Sequence, residues 1–560
     1  MLRPCLLCLM LTAAAFSADL RTYEGGWSGT IASPTPFRFN VSLSLSNDTA
    51  TLLSLSNGTT QWLAELKPQN GCDHADFGGV TFDGLRDSLG MRGFIQSGVH
   101  QYHIAFTRSD ASAFTGYWSP FMLPEMDNRV LLSIENCTAD SYEAYLILGD
   151  SRAPRLMCGN FSANGDTLLF GDFRTGLQFA ALLRADEIVL MPQLAGRLVA
   201  QIPLRRATES WAPRAEPSKS SDADEWTQIS ASSAGFDERA LSRLADSVAA
   251  GIVTATHSVL IARHGKLAYE QYFAGYDAVT PHDLRSAQKT FTGAAIGSAI
   301  ERGLLKSLDT PIYDYLPAAL LDTRATDERK ARITVGHLLT MSSGLDAVDF
   351  GADHESAASE DAYQQTPDWP RTILSAPLIN EPGAVANYGS ANACLAGAIL
   401  ASVSPLPPQL FLDETLFLPL GITDYILQTD FSGQTYGAGG MFMRPRDMLK
   451  IGQLYLNGGE WQGRRVLPSA WVADSWRRHT TLANTEQHNG YGYFWWERQY
   501  DWSGKSFIAH EARGAGGQYI SVIPELDLVI VVTSGNFRNG RFWQPEAIIE
   551  QYILPAVVRH

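Results

Sequence analysis

Residues 284–304 read LRSAQKTFTGAAIGSAIERGL, and within them Ser286 is followed three positions later by Lys289. A serine hydroxyl is a weak nucleophile until a base takes its proton, and a lysine kept neutral by burial is such a base. With a helix starting near Ser286, residues three apart share a face, so the amine lies beneath the hydroxyl. Phe291, Ala295, Ile296, Ala299 and Ile300 continue that helix as an apolar stripe, which carries Lys289 toward the interior. The competing reading is a helix capped by Ser286 with Lys289 reaching out to water. A bare S-x-x-K recurs by chance in long chains, so the surrounding sequence has to decide.

The elements that must position the pair are legible on either side of it. HSVLIARHGKLAYEQYF (257–273) reads as two alternating strands about a turn at His264-Gly265. KSFIAHEA (505–512) and GQYISVIPELDLVIVVTSG (517–535) alternate in the same way, and helical spacing precedes the first pair and follows the last. Helical patterns fill most of the interval. A sheet made of the first and last strands, with helices inserted between them, accounts for this order.

RSAQKTFTGAAIGSAIERGLLKSLDTPIYDYLP, followed by ITVGHLLTMSSGL, resembles the serine β-lactamase, penicillin-binding and esterase superfamily, whose first motif is this S-x-x-K. The resemblance runs from about Phe236 to the C-terminus. SVLIARHGKLAYEQYF, MRPRDMLKIGQLYLNGGEWQGRRVLP, YGYFWW and GAGGQYISVIPELDLVIVVTS look most like its class C-like esterase and 6-aminohexanoate-dimer hydrolase branch. It implies a β-lactamase/transpeptidase-like domain, α/β plus all-α around a central antiparallel sheet. In EPGAVANYGSANACLAG the resemblance makes Tyr388 the proton shuttle beside Lys289, and Ser390 a substrate-binding residue where β-lactamases commonly carry asparagine.

The third family motif, a strand bearing K-T-G, is altered here. HEARGAGGQYI puts Ala512-Arg513-Gly514 in its place, without the lysine. Strand alternation turns Arg513 to the face opposite Ala512 and Gly514, which weakens the case for holding a β-lactam carboxylate. Gly514 and Gly516 let a substrate approach the backbone. By resemblance the N–H groups of Ala515 and Ser286 form the oxyanion hole. Tyr491 is a pocket-wall aromatic that can touch substrate, His337 packs its own helix, His264 is a turn residue, and Asp447 after Pro445 marks a helix start.

The remainder of the chain bounds the setting. Its 560 residues exceed one core, and 45% hydrophobic with 18% charged residues is a foldable composition. A net charge of -16 argues against a nucleic-acid partner. MLRPCLLCLMLTAAAFSADL reads as a secretory signal cleaved near Ser17 or Ala18, giving an exported, periplasmic or secreted protein, and no later segment is apolar enough to span a bilayer. Residues 19–206 alternate in short runs between Gly/Asn/Asp turns and read as an all-β sandwich or barrel, a structural cover or oligomerisation unit in preference to a carbohydrate or partner module. A Pro/Ser-rich linker covers 207–226, and the hydrolase domain 227–560. In an oxidising compartment Cys137 and Cys158 are the expected bridge, and Cys394 a buried thiol. No Cys/His spacing resembles a metal site and no Gly-rich phosphate loop is found, so no cofactor is expected.

These readings converge on an exported serine hydrolase that cleaves a small-molecule ester or amide through an acyl-enzyme. A periplasmic β-lactamase or D-alanyl-D-alanine peptidase, and a non-catalytic cell-wall or ligand-binding protein, are the alternatives.

Overall fold

The computed structural model describes residues 19–31, 37–45, 51–87, 90–108, 113–120, 129–138, 141–148, 156–207, 226–485, 489–537 and 539–558. The expected signal segment and nearly all of the expected linker lie outside the described residues.

The N-terminal part is all β. Eight antiparallel strands close into a ring: Gly25–Thr30, Arg129–Glu135, Glu143–Leu148, Leu156–Asn164, Thr167–Asp172, Gln178–Arg184, Glu187–Leu194 and Ile202–Arg206, the last pairing back onto the first. Closure removes the exposed edges that an open sheet would present. Inward positions are apolar, as at Val130, Leu132 and Ile134, all inaccessible to solvent.

The second N-terminal sheet, which contains strands from Phe39–Leu45 to His100–Ala105, shows no closing strand pair among the described residues. Its strand His100–Ala105 pairs with Tyr425–Gln428, that strand with Phe442–Met443, and that in turn with His282–Asp283. One hydrogen-bonded sheet therefore runs from the N-terminal part into the C-terminal part and stops just before Ser286. The junction is also ionic: Arg92 Nε lies 2.8 Å from the buried carboxylate of Asp413, which accepts the Tyr425 hydroxyl at 2.8 Å.

The C-terminal part is built as the strand order required. Its eight-stranded antiparallel sheet runs Lys266–Tyr272, Thr256–Arg263, Leu528–Ser534, Gln518–Ile523, Lys505–Gly514, Trp496–Trp502, Gly490–Tyr491 and Thr480–Thr481. Helices Glu238–Ala249 and Gln544–Ile548 contribute to an apolar cluster with Val259, Ile530 and Val532 of this sheet, and the inserted helices form a larger core on the other side. Trp226, assigned from sequence to the end of the linker, stacks edge-on to Trp461 in that larger core.

The bridge expected between Cys137 and Cys158 is not formed; both are free thiols. The strand Glu143–Leu148 lies between the turn carrying Cys137 and the strand carrying Cys158. Burial pushes the Cys158 thiol up to about 12, so it is not a thiolate. No single helix among the described residues is long and apolar enough to cross a membrane.

Candidate active site

The Ser286 turn is shaped by the residues before it. Asp283 Oδ1 accepts the Arg285 backbone N–H at 2.9 Å, and its other oxygen pairs with Arg285 Nε at 2.8 Å. These contacts hold Arg285 at φ 49°, a left-handed conformation that costs an L-residue roughly 1–2 kcal/mol. The reversal places Ser286 on a 3₁₀ turn, Arg285–Gln288, and the α-helix begins only at Lys289. The expected helix start at Ser286 is thus corrected by one tight turn. Lys289 still comes beneath the serine: its Nζ lies 2.8 Å from Ser286 Oγ and 2.9 Å from the Ala438 carbonyl.

Lys289 does not reach water, being 1% exposed. The helix Lys289–Glu301 is buried nearly all round: helix Ser390–Val403 packs on it, Trp471 lies against Gly297, Thr290 donates to the Phe494 carbonyl, and the segment 436–441 runs along its start. Gln288 donates to the Tyr436 carbonyl at 2.6 Å, Thr292 to that of Gly437 at 2.6 Å, and the Leu284 N–H to that of Met441 at 2.8 Å.

Tyr388 completes the group, with Lys289 Nζ 5.2 Å from its ring centroid. Burial raises the phenol above its ordinary value, opposed by the Lys289 charge and by hydrogen bonding to Ser286 and Lys289. It is therefore protonated at neutral pH. Asn484 fixes its backbone, Oδ1 accepting the Tyr388 N–H at 2.8 Å and Nδ2 donating to its carbonyl at 3.1 Å.

On the other side of Ser286 stands the end of strand Lys505–Gly514. A Cβ on Gly514 would lie 2.1 Å from the Leu284 carbonyl oxygen, so only glycine lets the strand come this close. Ala515 is exposed at the turn that follows, and Gly516 at φ 82° leaves room for the Phe537 ring. Arg513 faces away, as alternation requires. It is buried against Glu511 and Glu546, with the rings of Trp496, Tyr519 and Trp543 around it, and does not stand in for the absent lysine.

Two residues expected to touch substrate sit deeper. Ser390 is 0% exposed; its N–H and its hydroxyl both donate to Asp349 Oδ2 at 2.7 Å, and the hydroxyl also approaches Glu360 at 3.2 Å. A serine side chain is shorter than asparagine, and here it turns toward the acids at the helix start. Tyr491, also 0% exposed, meets Tyr388 and Trp496 edge-on at 6.3 and 5.6 Å. It lies behind Tyr388 as a supporting ring.

Sequence reasoning did not single out Asp283, Asp349, Glu360 or Asn484. Asp349 and Glu360 form an acidic pair whose Glu360 also accepts the Tyr436 hydroxyl at 2.6 Å. Burial pushes the Asp349 carboxyl up to about 6, the Glu360 charge adds to this, and the Lys289 charge opposes it. The nearness of Asp283 to Ser286 was a usable signal; Asp349 and Asn484 lie in irregular segments without a period, and Glu360 opens a helix of only four residues, Glu360–Tyr363. His337 closes a capping box with Thr334, His264 occupies its turn at φ 53°, and Asp447 falls in the first turn of helix Pro445–Leu456.

An antiparallel sheet with helices inserted in its middle, and a Ser-x-x-Lys pair between a buried tyrosine and the sheet's end, define the β-lactamase class of proteins. The Beta-lactamase family model matches residues 242–549, more than half of the chain, and the chain belongs to that family. It is 24% identical over 311 residues to a 6-aminohexanoate-dimer hydrolase of Paenarthrobacter ureafaciens, covering 52% of this chain and 75% of that protein. It is 33% identical over 156 residues to a monacolin J acid methylbutanoyltransferase of Aspergillus terreus, covering 26% of this chain and 37% of the transferase. A solved D-stereospecific amidohydrolase from Streptomyces sp. is 17% identical with a TM-score of 0.43, covering 56% of this chain and 98% of that one.

Proposed function

We propose that the protein is a serine hydrolase that cleaves an ester or small amide through an acyl-enzyme. The observation that carries this is the 2.8 Å contact between Lys289 Nζ and Ser286 Oγ, made by a lysine withdrawn from water. Lys289 takes the hydroxyl proton across this contact as Ser286 attacks the substrate carbonyl. Tyr388 hands a proton to the leaving group, and the two side chains then activate water for deacylation. The N–H groups of Ser286 and Ala515 receive the oxyanion, a role that typically contributes about 3–4 kcal/mol per donor in acyl transfer. Gly514 and Gly516 border the substrate at the strand, with Tyr491 supporting Tyr388 and Ser390 held by Asp349 and Glu360.

The burial of Arg513 against two glutamates supports ester or simple amide substrates over β-lactams and D-alanyl peptides, whose carboxylate needs a cation. Hydrolysis of p-nitrophenyl acetate and butyrate, with nitrocefin and a 6-aminohexanoate dimer alongside, tests the proposal in wild type and Ser286→Ala. Loss of ester turnover in the variant is the expected result; unchanged turnover, or none in wild type, overturns it. Export of the protein is proposed from residues 1–18 and is tested by N-terminal sequencing of the mature chain from the extracytoplasmic fraction.

A further inference from the structure

Two partly exposed phenylalanines pack on the elements that flank Ser286, one on Tyr388 and the other on Gly516 and Arg285. The Phe350 ring stacks on Tyr388 with centroids 5.4 Å apart and planes 24° from parallel, yet the residue is 41% exposed. Asn484 ties the two together, donating to the carbonyls of both Phe350 and Tyr388. On the strand side Phe537, also 41% exposed, presses on Gly516 and lies 5.0 Å from the Arg285 guanidinium carbon. Each ring thus has one face fixed against the Ser286 neighbourhood and leaves much of its surface open to solvent, where an apolar surface gains by being covered.

The charges around the centre exclude one kind of occupant. Lys289 faces Ser286 and the Ala438 carbonyl, Arg285 pairs with Asp283 at 2.8 Å, and Arg513 is sealed against Glu511 and Glu546. The nearby acids Asp349 and Glu360 oppose a further negative charge. A substrate carboxylate would have to compete with a protein partner for each of these cations, whereas an uncharged apolar group meets two open rings.

We infer that the site selects uncharged esters or amides whose acyl part is apolar or aromatic, seated between Phe350 and Phe537. The inference rests on the acyl-enzyme reading above and names its substrate class. The test compares p-nitrophenyl esters that share one leaving group: acetate, hexanoate, phenylacetate and the monosuccinate, the last bearing a carboxylate. In wild type, kcat/KM is expected to rise about ten-fold or more from acetate to hexanoate and phenylacetate, the scale that an apolar pocket gives, and not to rise for the succinate. Phe350→Ala and Phe537→Ala are each expected to cut that preference at least about three-fold through KM, and Phe350→Tyr to keep it. A flat acyl series in wild type, a preference for the succinate, or a preference unchanged in both alanine variants overturns the inference. Fluorophosphonate labelling of Ser286 separates the two readings. A labelled serine with a flat series removes only the substrate class, and an unlabelled serine with no ester turnover removes both.

Discussion

Gly514 and Leu284 are in backbone contact across the two halves of the site: a Cβ on the glycine would fall 2.1 Å from the leucine carbonyl oxygen. Gly514 is not in the left-handed region, so proximity and not backbone freedom demands glycine here. The contact sets how near the end of the strand comes to the Ser286 turn. Gly514→Ala has to push the two apart by about an ångström, since real Cβ contacts stay beyond about 3 Å. A displacement of that size costs up to about a hundred-fold in rate when groups must align. The expected outcome is a fall in kcat of ten-fold or more, with KM changing less; a variant as fast as wild type would mean that the strand does not take part in the chemistry.

Lys289 and Tyr388 are assigned to move protons. Lys289→Met fills the same volume without the amine, and Tyr388→Phe removes only the hydroxyl. Each is expected to lose about 10²–10⁴-fold in kcat for p-nitrophenyl acetate while keeping a wild-type far-ultraviolet circular dichroism spectrum. The double variant is expected to be little worse than the poorer single one, because the two act on one proton path. Multiplied losses in the double variant would argue for separate roles.

Asp349 makes a pH prediction. Its carboxyl is raised to about 6 in the folded chain, by burial first and by Glu360 second, against an ordinary value of 3.8. Between those two values the folded state binds more protons than the unfolded state, so this group makes stability fall as pH rises toward and through 6. Urea unfolding of wild type and Asp349→Asn at pH 4.5 and 7.5 measures the difference. Wild type is expected to lose stability over that interval relative to the variant; parallel behaviour of the two proteins would refute the assignment.

Arg92 and Asp413 make a prediction about the N-terminal part. Asp413 is buried and serves both Arg92 and the Tyr425 hydroxyl. Asp413→Ala takes the carboxylate from a largely buried guanidinium, a change that costs about 3–5 kcal/mol where a buried pair is broken. Thermal and urea unfolding are expected to show that loss. Because one sheet joins the two parts, the wild-type transition is expected to report both together. Two well-separated transitions in wild type would show that the β domain is an independent module.

What the sequence determined by itself was the set of relations that local periodicity encodes. Positions three apart on a helical turn put Lys289 under Ser286, and alternation along a strand sent Arg513 away from Gly514. The first and last strand patterns foretold a sheet with helices inserted between them. An all-β N-terminal part was equally legible, because alternation and turn residues repeat within a few positions. Tertiary structure alone decided the relations between distant segments. Arg92 and Asp413 are 321 residues apart, and nothing in either neighbourhood announces the other. The same holds for the sheet that carries the N-terminal strands up to His282–Asp283, for the strand that separates Cys137 from Cys158, and for the acids Asp349 and Glu360 that accept the buried Ser390 hydroxyl. Such pairings depend on how the whole chain closes, and that information is spread over every buried contact at once.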